Sequence, residues 1–366
     1  MPLRVLIVAP ALPLVGGQSV QAELIYRRFA SDPALHMTFQ PINPQLPSRL
    51  RWLQRIKYSR TLITFPLYCV QLCVAIARCD VVHIFSAAYL SFVLAPTPAI
   101  TIARWFGKRV ILNYHSGNAE DHLSRWPSAV RTLRRVNCIA VPSPFLVRVF
   151  RKFGLSAQCV PNAVDLSAFR FHARSQPQPW FLANRNFEAH YNLACVLRAF
   201  SLIQAQLPDA RLSVAGDGPL KAELQLLAKT LALRNVEFIG RVAPADMPSA
   251  YDRHDFWLNA SDVDNMPLSI LEAFAAGTAV VSTNAGGIPD LVQDGQIGLL
   301  VPCGDAEALA QTAIDLVAQP ARFAALTSAA QAECEKYTWD AVKAGWLRLY
   351  LEPTSPRAPT SPRLLE

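Results

Sequence analysis

Short apolar runs rich in β-branched residues alternate along this chain with longer apolar segments of helical period. In the first half, the runs that predict strands lie at 4–9, 80–85, 109–115 and 139–143. In the second half, they lie at 180–185, 211–215, 236–240, 255–259, 279–283 and 299–302. Runs this apolar, separated by predicted helices, are typical of parallel sheets that helices cover on both faces. The pattern therefore predicts an α/β chain built on parallel sheets.

The length of the chain favours two domains. At 366 residues it exceeds what one hydrophobic core commonly holds, and its 52% of hydrophobic residues can fill two cores. A polar, proline-containing linker at 166–179 separates a first domain at 1–165 from a second domain at 180–336. A further helix is predicted at 337–352, and the Pro/Ser/Thr repeat at 353–366 is predicted to be disordered.

Two long apolar segments, at 61–77 and 87–102, are predicted to be buried helices of the first domain. The segment at 61–77 is at the short limit for a bilayer span and is interrupted by Pro66 and Gln71. The start of the chain predicts a strand, not a signal peptide. Eight scattered cysteines without a C-x-x-C spacing indicate reduced thiols. A cytoplasmic location is therefore expected.

Charge is distributed unevenly between the two halves. Residues 1–165 contain 19 Lys and Arg against 6 Asp and Glu, a net of +13, whereas the rest of the chain has a net of −5. Cations alternate with apolar and aromatic residues at 49–60, which predicts an interfacial segment or else an ordinary solvated basic face. Because no nucleic-acid-binding motif is present, an anionic surface on the inner face of the membrane is the favoured partner, and nucleic acid is not expected.

The stretch at 261–292 carries the clearest candidate chemistry, in a predicted loop, helix, strand and second helix start. Pro267 suits the first helical position, and Gly277 suits a C-terminal cap. Two carboxylates interrupt the apolar pattern, Asp264 before the helix and Glu272 within it. The N–H groups that begin this helix predict a seat for an anion such as a diphosphate, flanked by carboxylates that bind hydroxyl groups. In the alternative, Asp264 is a helix cap and Glu272 points to solvent.

Two features of the first half point to the carboxyl edge of a sheet. Gly16-Gly17 lie between the first strand and a helix predicted at 20–29, an arrangement that either cradles a phosphate or forms a plain turn. His83 and His115 lie near the carboxyl ends of their strands, where open α/β sheets bind ligands, although a lone histidine there is more often structural. From the residues alone, a plain turn and structural histidines are the more common outcome, and a ligand site at this edge is the alternative.

Several motifs resemble the retaining glycosyltransferases of family 4. The family's acidic signature, E-G-x-P-x-x-x-x-E followed by G-G-I-P, is similar to DNMPLSILE at 264–272 and GGIP at 286–289. PNAVD at 161–165 and GDGP at 216–219 resemble two further segments, in the family's order, over roughly residues 1–350. The resemblance implies a GT-B architecture, in which two Rossmann-like domains face a cleft. The first domain would face the acceptor, the second would bind a nucleotide-sugar, and the last helix would cross back to the first.

The resemblance also implies roles for individual residues. Asp264 would hold the hydroxyls of the transferred sugar, Glu272 those of the ribose, and Arg185 the donor phosphates. His115 stands at the family's first-domain histidine, which lies near the transferred sugar. The residues implied in catalysis are Asp264, His115 and Arg185. Those implied in donor binding are Gly16, Gly17, Arg185, Asn265, Met266, Pro267, Leu268, Ser269 and Glu272.

The implied reaction is a retaining transfer of a sugar from a nucleotide-sugar donor to a glycan or glycolipid acceptor. The resemblance implies no metal and no cofactor, with the nucleotide-sugar as substrate. Asp262-Val263-Asp264 has the D-x-D form that binds metal in another glycosyltransferase fold. Its position directly before the signature, without other candidate ligands, argues against a metal site here.

The sequence departs from the family pattern after Arg185. The family usually has a lysine five residues later, whereas this chain reads EAHYN at 188–192. Either His190 or Tyr191 occupies that place, or the diphosphate charge is met elsewhere. Two alternatives therefore stay open: a non-catalytic, membrane-associated binding subunit, and a nucleotide-sugar epimerase on the same fold. A Rossmann dehydrogenase is disfavoured because no G-x-G-x-x-G follows the first strand.

Overall fold

The computed structural model of the protein describes residues 1–11, 17–44, 59–86 and 88–352. Within these ranges the chain forms two six-stranded sheets, and the strands of both sheets pair in parallel. The α/β class that the strand pattern predicted is confirmed. The central strands are largely buried on both faces because helices cover both sides of each sheet, whereas the edge strands at 35–41, 158–159 and 236–240 are partly exposed.

The first sheet has the strand order β2-β1-β3-β4-β5-β6. Its strands are β1 (Leu3–Ala9), β2 (Leu35–Pro41), β3 (Val81–Ser86), β4 (Arg109–Tyr114), β5 (Cys138–Val141) and β6 (Gln158–Cys159). The helices between them are α1 (Gly17–Phe29), α2 (Ser59–Ala77), α3 (Leu90–Leu94), α4 (Pro96–Trp105), α5 (Ala119–Arg125), α6 (Pro127–Leu133) and α7 (Pro144–Lys152). Helices α2 to α7 bury one face of this sheet, and α1 covers the other.

The second sheet has the order β12-β11-β10-β7-β8-β9. Its strands are β7 (Trp180–Asn184), β8 (Arg211–Ala215), β9 (Val236–Gly240), β10 (Phe256–Asn259), β11 (Ala279–Thr283) and β12 (Leu299–Val301). Its helices are α8 (Leu193–Gln206), α9 (Lys221–Thr230), α10 (Met247–Asp252), α11 (Leu268–Ala276), α12 (Ile288–Leu291), α13 (Ala306–Val317) and α14 (Pro320–Cys334). Helices α8 and α13 pack on one face, and α10 and α11 on the other.

Each sheet has a point at which the strand order reverses. In the first sheet, β1 lies between β2 and β3, and in the second, β7 lies between β8 and β10. The connections from such neighbouring strands leave toward opposite sides and open a crevice at the carboxyl ends of the strands. The loops after β7 and β10 contain Arg185 and Asp264, so the topology brings these two predicted site residues to one crevice.

The last helix, α15 (Trp339–Leu351), packs on the first sheet beside α1. The ring of Trp339 meets Phe29 with a centroid distance of 4.8 Å. Two chain segments cross between the domains here, and the Val164 N–H donates to the Tyr337 carbonyl at 2.9 Å. The buried Gln21 side chain of α1 bonds both the N–H and the carbonyl of Ala163, at 3.0 and 2.6 Å, and so ties α1 to the first crossing.

Three predicted helices differ in the structure. Helix α1 begins at Gly17, three residues before the predicted start. The segment predicted as one helix at 87–102 is split into α3 and α4, because Pro96 lacks the N–H that would continue the first helix and instead begins the second. Helix α2 covers the predicted 61–77, but it is buried on one side only, and Val70 and Val74 are exposed.

Candidate active site

Arg185 and Asp264 form an ion pair at the switch point of the second sheet. The Arg185 Nη2 group donates to Asp264 Oδ2, and both side chains are nearly buried, at 10% and 12% exposure. The Arg185 Nη1 group also donates to the Ser269 hydroxyl of α11 at 3.1 Å. The Arg185 Nε–H is buried and has no partner among the described residues. The guanidinium therefore keeps a desolvated donor that an anion could use.

Tyr191 covers the other side of this guanidinium. The Arg185 Cζ atom lies 4.1 Å from the centre of the Tyr191 ring, a distance at which a cation is attracted to an aromatic face. The His190 ring turns toward Glu188, with 3.7 Å between Nδ1 and Oε2. In the segment 188–192, where the sequence lacks the lysine of the family pattern, the Tyr191 ring thus contacts Arg185 directly.

Glu272 lies on α11 within a hydrogen-bonded group under the crevice. The Tyr251 hydroxyl is 3.0 Å from Glu272 Oε2 and 2.9 Å from the Ser269 carbonyl, and it accepts from the Asn184 amide at 2.8 Å. Burial raises the pKa of the Glu272 carboxyl, against the opposing effects of the Tyr251 hydrogen bond and the Arg185 charge. Glu272 therefore does not point to bulk solvent, and the alternative in which its carboxylate is solvated on the helix surface is wrong.

Helix α11 begins at Leu268, and Pro267 is its N-cap residue with extended backbone angles. The prediction that Pro267 takes the first helical position is thus wrong by one residue, because its ψ of 122° lies outside the helical range. Asp264 is not the cap, since its side chain accepts from the Asn265 N–H at 2.8 Å and pairs with Arg185. The C-terminal cap is confirmed at Gly277, with a φ of 73°.

The paired glycines of the GGIP segment explain how the signature loop is held. A Cβ atom on Gly286 would overlap the Asp264 carbonyl oxygen, and one on Gly287 would overlap the Asn265 carbonyl oxygen. The Gly287 N–H donates to the Asp264 carbonyl at 3.1 Å. Because both positions must lack a side chain, the loop after β11 packs directly on the backbone of Asp264 and Asn265 and fixes their orientation.

The first domain contacts the same loop from across the crevice. A Cβ atom on Gly117, two residues after His115, would lie 3.1 Å from the carbonyl carbon of Asp264. The Ser143 hydroxyl donates to the Asn265 side-chain oxygen, and the Asn162 amide donates to the Met266 carbonyl at 3.3 Å. The loop that carries His115 and the loop that carries Asp264 therefore meet in the structure.

His115 follows β4 and stacks on Phe85, with ring centres 5.3 Å apart. Burial lowers the pKa of His115 to about 4, and its Nε2 atom is buried without a partner in the described ranges. Phe85 stacks in turn on His83, whose Nδ1 atom is 2.8 Å from the Tyr350 hydroxyl of α15. His83 is fully buried, so it has a structural role, while His115 is at the crevice.

Two sequence predictions fall partly or wholly outside the described residues. Gly16 lies outside them, whereas Gly17 is the first residue of α1. The basic run at 49–60 also lies outside, except for its last two residues, which begin α2.

The D-x-D sequence does not gather metal ligands. The Asp262 side chain accepts from the Asn192 amide at 3.3 Å, whereas Asp264 is engaged by Arg185. Across the ranges that the structure covers, no group of three His, Cys, Asp or Glu residues is arranged to hold a metal ion. No helix in those ranges has both the length and the apolar character of a membrane span.

Comparison with known proteins identifies the family. The family model "Glycosyltransferase Family 4" matches residues 5–168, and "Glycosyl transferases group 1" matches residues 167–333. A GDP-mannose-dependent monoacylated alpha-(1-6)-phosphatidylinositol monomannoside mannosyltransferase of Corynebacterium glutamicum is 30% identical over 278 residues, which cover 64% of this chain and 72% of that protein. The chain belongs to glycosyltransferase family 4.

Two further proteins are similar over most of this chain. The sulfoquinovosyl transferase SQD2 of Arabidopsis thaliana is 27% identical over 72% of this chain, which spans about half the length, 54%, of that relative. A crystal structure of HepE from Anabaena with UDP-glucose superimposes with a TM-score of 0.76 at 15% identity, covering 94% of this chain and 98% of that one. The GT-B fold expected from the motifs is thus confirmed.

Sequence reasoning missed several residues of this candidate site. Tyr251 and Asn184 were not recognised. Tyr251 lies on the short helix α10 and Asn184 at the end of β7, and neither position in the sequence indicates a place in the hydrogen-bonded group around Glu272. Ser143 and Asn162 were also missed, since their contacts with the signature loop depend on how the two domains meet. Tyr191 was considered only as a stand-in for the lysine, and its stacking on Arg185 depends on the short 3-10 helix Ala189–Tyr191.

Proposed function

We propose that this protein is a glycosyltransferase that moves a sugar from a nucleotide-sugar donor to a glycan or glycolipid acceptor, with retention of the anomeric configuration. The observation that carries the proposal is the buried Arg185–Asp264 pair beside the N-terminus of α11, with Glu272 one turn further along. In one crevice, a cation and a helix N-terminus can bind a diphosphate, and two carboxylates can bind the hydroxyl groups of the sugar and of the ribose on either side of it. Family membership and the UDP-glucose bound to HepE support the same donor class.

In this proposal the second domain binds the donor. Arg185 and the first N–H groups of α11, at Leu268 and Ser269, hold the diphosphate and stabilise the charge that develops on the leaving group. Asp264 holds the hydroxyls of the transferred sugar, and Glu272 holds those of the ribose. The Asn265, Met266 and Pro267 backbone shapes the seat, and Gly17, at the start of α1, approaches the diphosphate from the first domain.

The leaving-group charge is met by protein groups, so we propose that the reaction needs neither a metal nor a cofactor. His115, which burial keeps neutral at physiological pH, contributes a hydrogen bond near the transferred sugar from the first domain. Neutral imidazole can accept or donate one hydrogen bond without adding a charge to the cleft. The ion pair between Arg185 and Asp264 is then exchanged for contacts with phosphate and sugar when the donor binds.

The acceptor is proposed to be a glycolipid. The phosphatidylinositol monomannoside in the names of the Corynebacterium glutamicum relative and of a Mycolicibacterium smegmatis relative supports a lipid-linked acceptor. The excess of cations in residues 1–165 supports a cytoplasmic protein whose first domain lies against an anionic membrane.

Transfer itself tests the proposal. The full chain is incubated with labelled UDP-, GDP- and ADP-sugars and with a polar lipid extract, and label entering the lipid fraction is measured, with no metal and with EDTA. We expect transfer from one donor, unaffected by EDTA and lost in Asp264→Asn, with the product anomer matching the donor by NMR. Donor consumption without acceptor would indicate an epimerase instead, and donor binding without turnover would indicate a binding subunit.

A further inference from the structure

An exposed apolar surface lies on the first domain, on the side of α2 and α4 that faces away from the sheet. It is formed by Phe65, Val70 and Val74 of α2, Leu90 and Val93 of α3, and Trp105 and Phe106 at the end of α4. We call this surface the α2–α4 face. Val70, Val74 and Trp105 are 62%, 52% and 86% exposed, so more than half of each residue's surface is open to solvent.

The outer side of α2 differs from that of an ordinary surface helix. Tyr68, Leu72 and Ile76 are buried against the sheet, as expected for an amphipathic helix. The opposite side carries no charged residue, because the sequence from 61 to 77 contains none. A helix of 19 residues that is apolar on both sides is expected to be covered on both sides, and among the described residues only the side toward the sheet is covered.

The helices of this face are joined into one surface. The Tyr68 hydroxyl of α2 donates to the Ala95 carbonyl between α3 and α4 at 3.0 Å. The Lys108 amino group, just after α4, lies 3.4 Å from the Ala77 carbonyl at the end of α2. The exposed apolar side chains of three helices therefore belong to a contiguous region of the first domain.

The charges around this face are cationic. Arg78, Arg104 and Lys108 follow α2 and end α4, at the same end of the face as Trp105. Asp80 is the one acidic residue in the sequence from 59 to 108, and it is paired with Arg4 at 2.6 Å. An apolar patch with an aromatic edge and a rim of Arg and Lys matches an anionic lipid surface, in which apolar groups enter the acyl boundary and cations meet the headgroups.

The α2–α4 face extends toward the candidate active site. Helix α3 follows the carboxyl end of β3, the edge at which His115 also lies. The hydroxyl of Tyr89, the residue before α3, donates to Asp121 Oδ2 of α5 at 2.6 Å, and α5 begins four residues after His115. Leu90 and Val93 of α3 are therefore at the end of the face nearer the crevice, whereas Arg78, Arg104 and Lys108 lie at the opposite end, where α2 and α4 lead into the amino ends of β3 and β4. A bilayer lying along the whole face would reach from these cations to the edge of the crevice.

We infer that the α2–α4 face is a membrane-docking surface that takes an anionic bilayer in a monotopic manner. The inference rests on the proposed function in one respect, since it explains how a lipid-linked acceptor would be delivered to the cleft. Docking itself requires no nucleotide and no transfer, so it can succeed or fail independently.

Vesicle flotation of the full chain tests the inference. Vesicles of pure phosphatidylcholine are compared with vesicles that contain 30% phosphatidylglycerol, without nucleotide. We expect binding to the anionic vesicles that weakens at high salt. The double substitution Val70→Asn with Val74→Asn should reduce the bound fraction by at least about tenfold, because two apolar side chains no longer enter the lipid. Leu226→Asn on α9, at a position with 64% exposure in the second domain, is the matched control and should bind as the unaltered chain does.

Several results would overturn the inference. These are no binding to anionic vesicles, equal binding by the double variant, or a dimer in light scattering that the double variant abolishes without any lipid binding. The last result would assign the face to a second copy of the chain. Nucleotide-induced stabilisation, measured on the same double variant, separates the two proposals. If stabilisation persists while docking fails, this inference falls together with the membrane location proposed for the first domain, while the proposed sugar transfer stands. If docking persists while no nucleotide binds, the proposed sugar transfer falls.

Discussion

The Glu272→Gln substitution is expected to weaken nucleotide binding without lowering the stability of the fold, so it distinguishes a binding role of Glu272 from a structural one. In the proposed site, the Glu272 carboxylate accepts a hydrogen bond from a ribose hydroxyl, and a neutral amide accepts a weaker one. A hydrogen bond to a charged group contributes about 1.5–3 kcal/mol and one to a neutral group about 0.5–1.5 kcal/mol, so the difference of about 1–1.5 kcal/mol should weaken nucleotide binding by roughly 5- to 12-fold. The Tyr251 hydroxyl, 3.0 Å from Oε2, can still donate to the amide oxygen, so the local packing stays intact.

The free energy of unfolding of the same variant should be unchanged or higher than that of the wild type. Burial raises the pKa of Glu272 in the folded protein, so the folded state binds its proton more tightly than the unfolded state does. The free energy of unfolding of the wild type therefore falls as pH rises above the usual carboxyl range, and it then levels off above the folded pKa. Glutamine does not ionise, so the variant does not lose stability in this way as pH rises. The variant should be at least as stable as the wild type at neutral pH, with the difference shrinking in acid.

Titration calorimetry with UDP, GDP and ADP measures the affinity, and thermal unfolding between about pH 5 and pH 8 measures the stability. Glu307→Gln, an exposed glutamate at the start of α13, is the control and should change neither affinity nor pH dependence. An unchanged nucleotide affinity in Glu272→Gln would refute the assignment of Glu272. A large loss of stability with no binding at any pH would show that its role is structural.

Three further substitutions test other parts of the site. Gly287→Ala would press a methyl group on the Asn265 carbonyl, so it should cost about 1–3 kcal/mol of stability in denaturant unfolding and also weaken nucleotide binding. Tyr191→Leu removes the ring over Arg185 and should weaken nucleotide binding by roughly 2- to 30-fold in calorimetry, with little change in melting temperature. Burial lowers the pKa of His83 to about 3, so stability should fall as pH drops from about 6.5 toward that value, and His83→Asn should flatten this slope in acid titrations of unfolding.

The sequence was most informative where local chemistry and structure coincide. Apolar runs marked the strands, because a strand buried on both faces must be apolar at every position. The spacing from Asp264 to Glu272 and the paired glycines predicted a loop and helix start at the carboxyl edge, since these features act within a few residues. The C-terminal cap at Gly277 followed from the same kind of local rule, a left-handed conformation that glycine adopts without strain.

Features that depend on tertiary contacts could not be predicted. The apolar segment 61–77 was interpreted as buried, because an apolar pattern reports the character of a side chain and not what covers it. Val70 and Val74 are exposed only because no other element of the described chain packs on the outer side of α2. The stacking of Tyr191 on Arg185 likewise requires the turn at 189–191 to bring two distant positions of the motif together.

The central claim is that the crevice around Arg185 and Asp264 binds a nucleotide-sugar. A thermal-shift panel of UDP, GDP, ADP and their sugar conjugates on the wild type and on Arg185→Ala tests it most directly. Arg211→Ala is the control, because Arg211 also covers an aromatic ring, that of Trp180, but lies at the start of β8, away from the crevice. A ligand at 100 times its dissociation constant stabilises the folded state by about 2.7 kcal/mol. We expect one nucleotide class to raise the melting temperature accordingly in the wild type and in Arg211→Ala but not in Arg185→Ala. No shift with any nucleotide, or a full shift in Arg185→Ala, would contradict it.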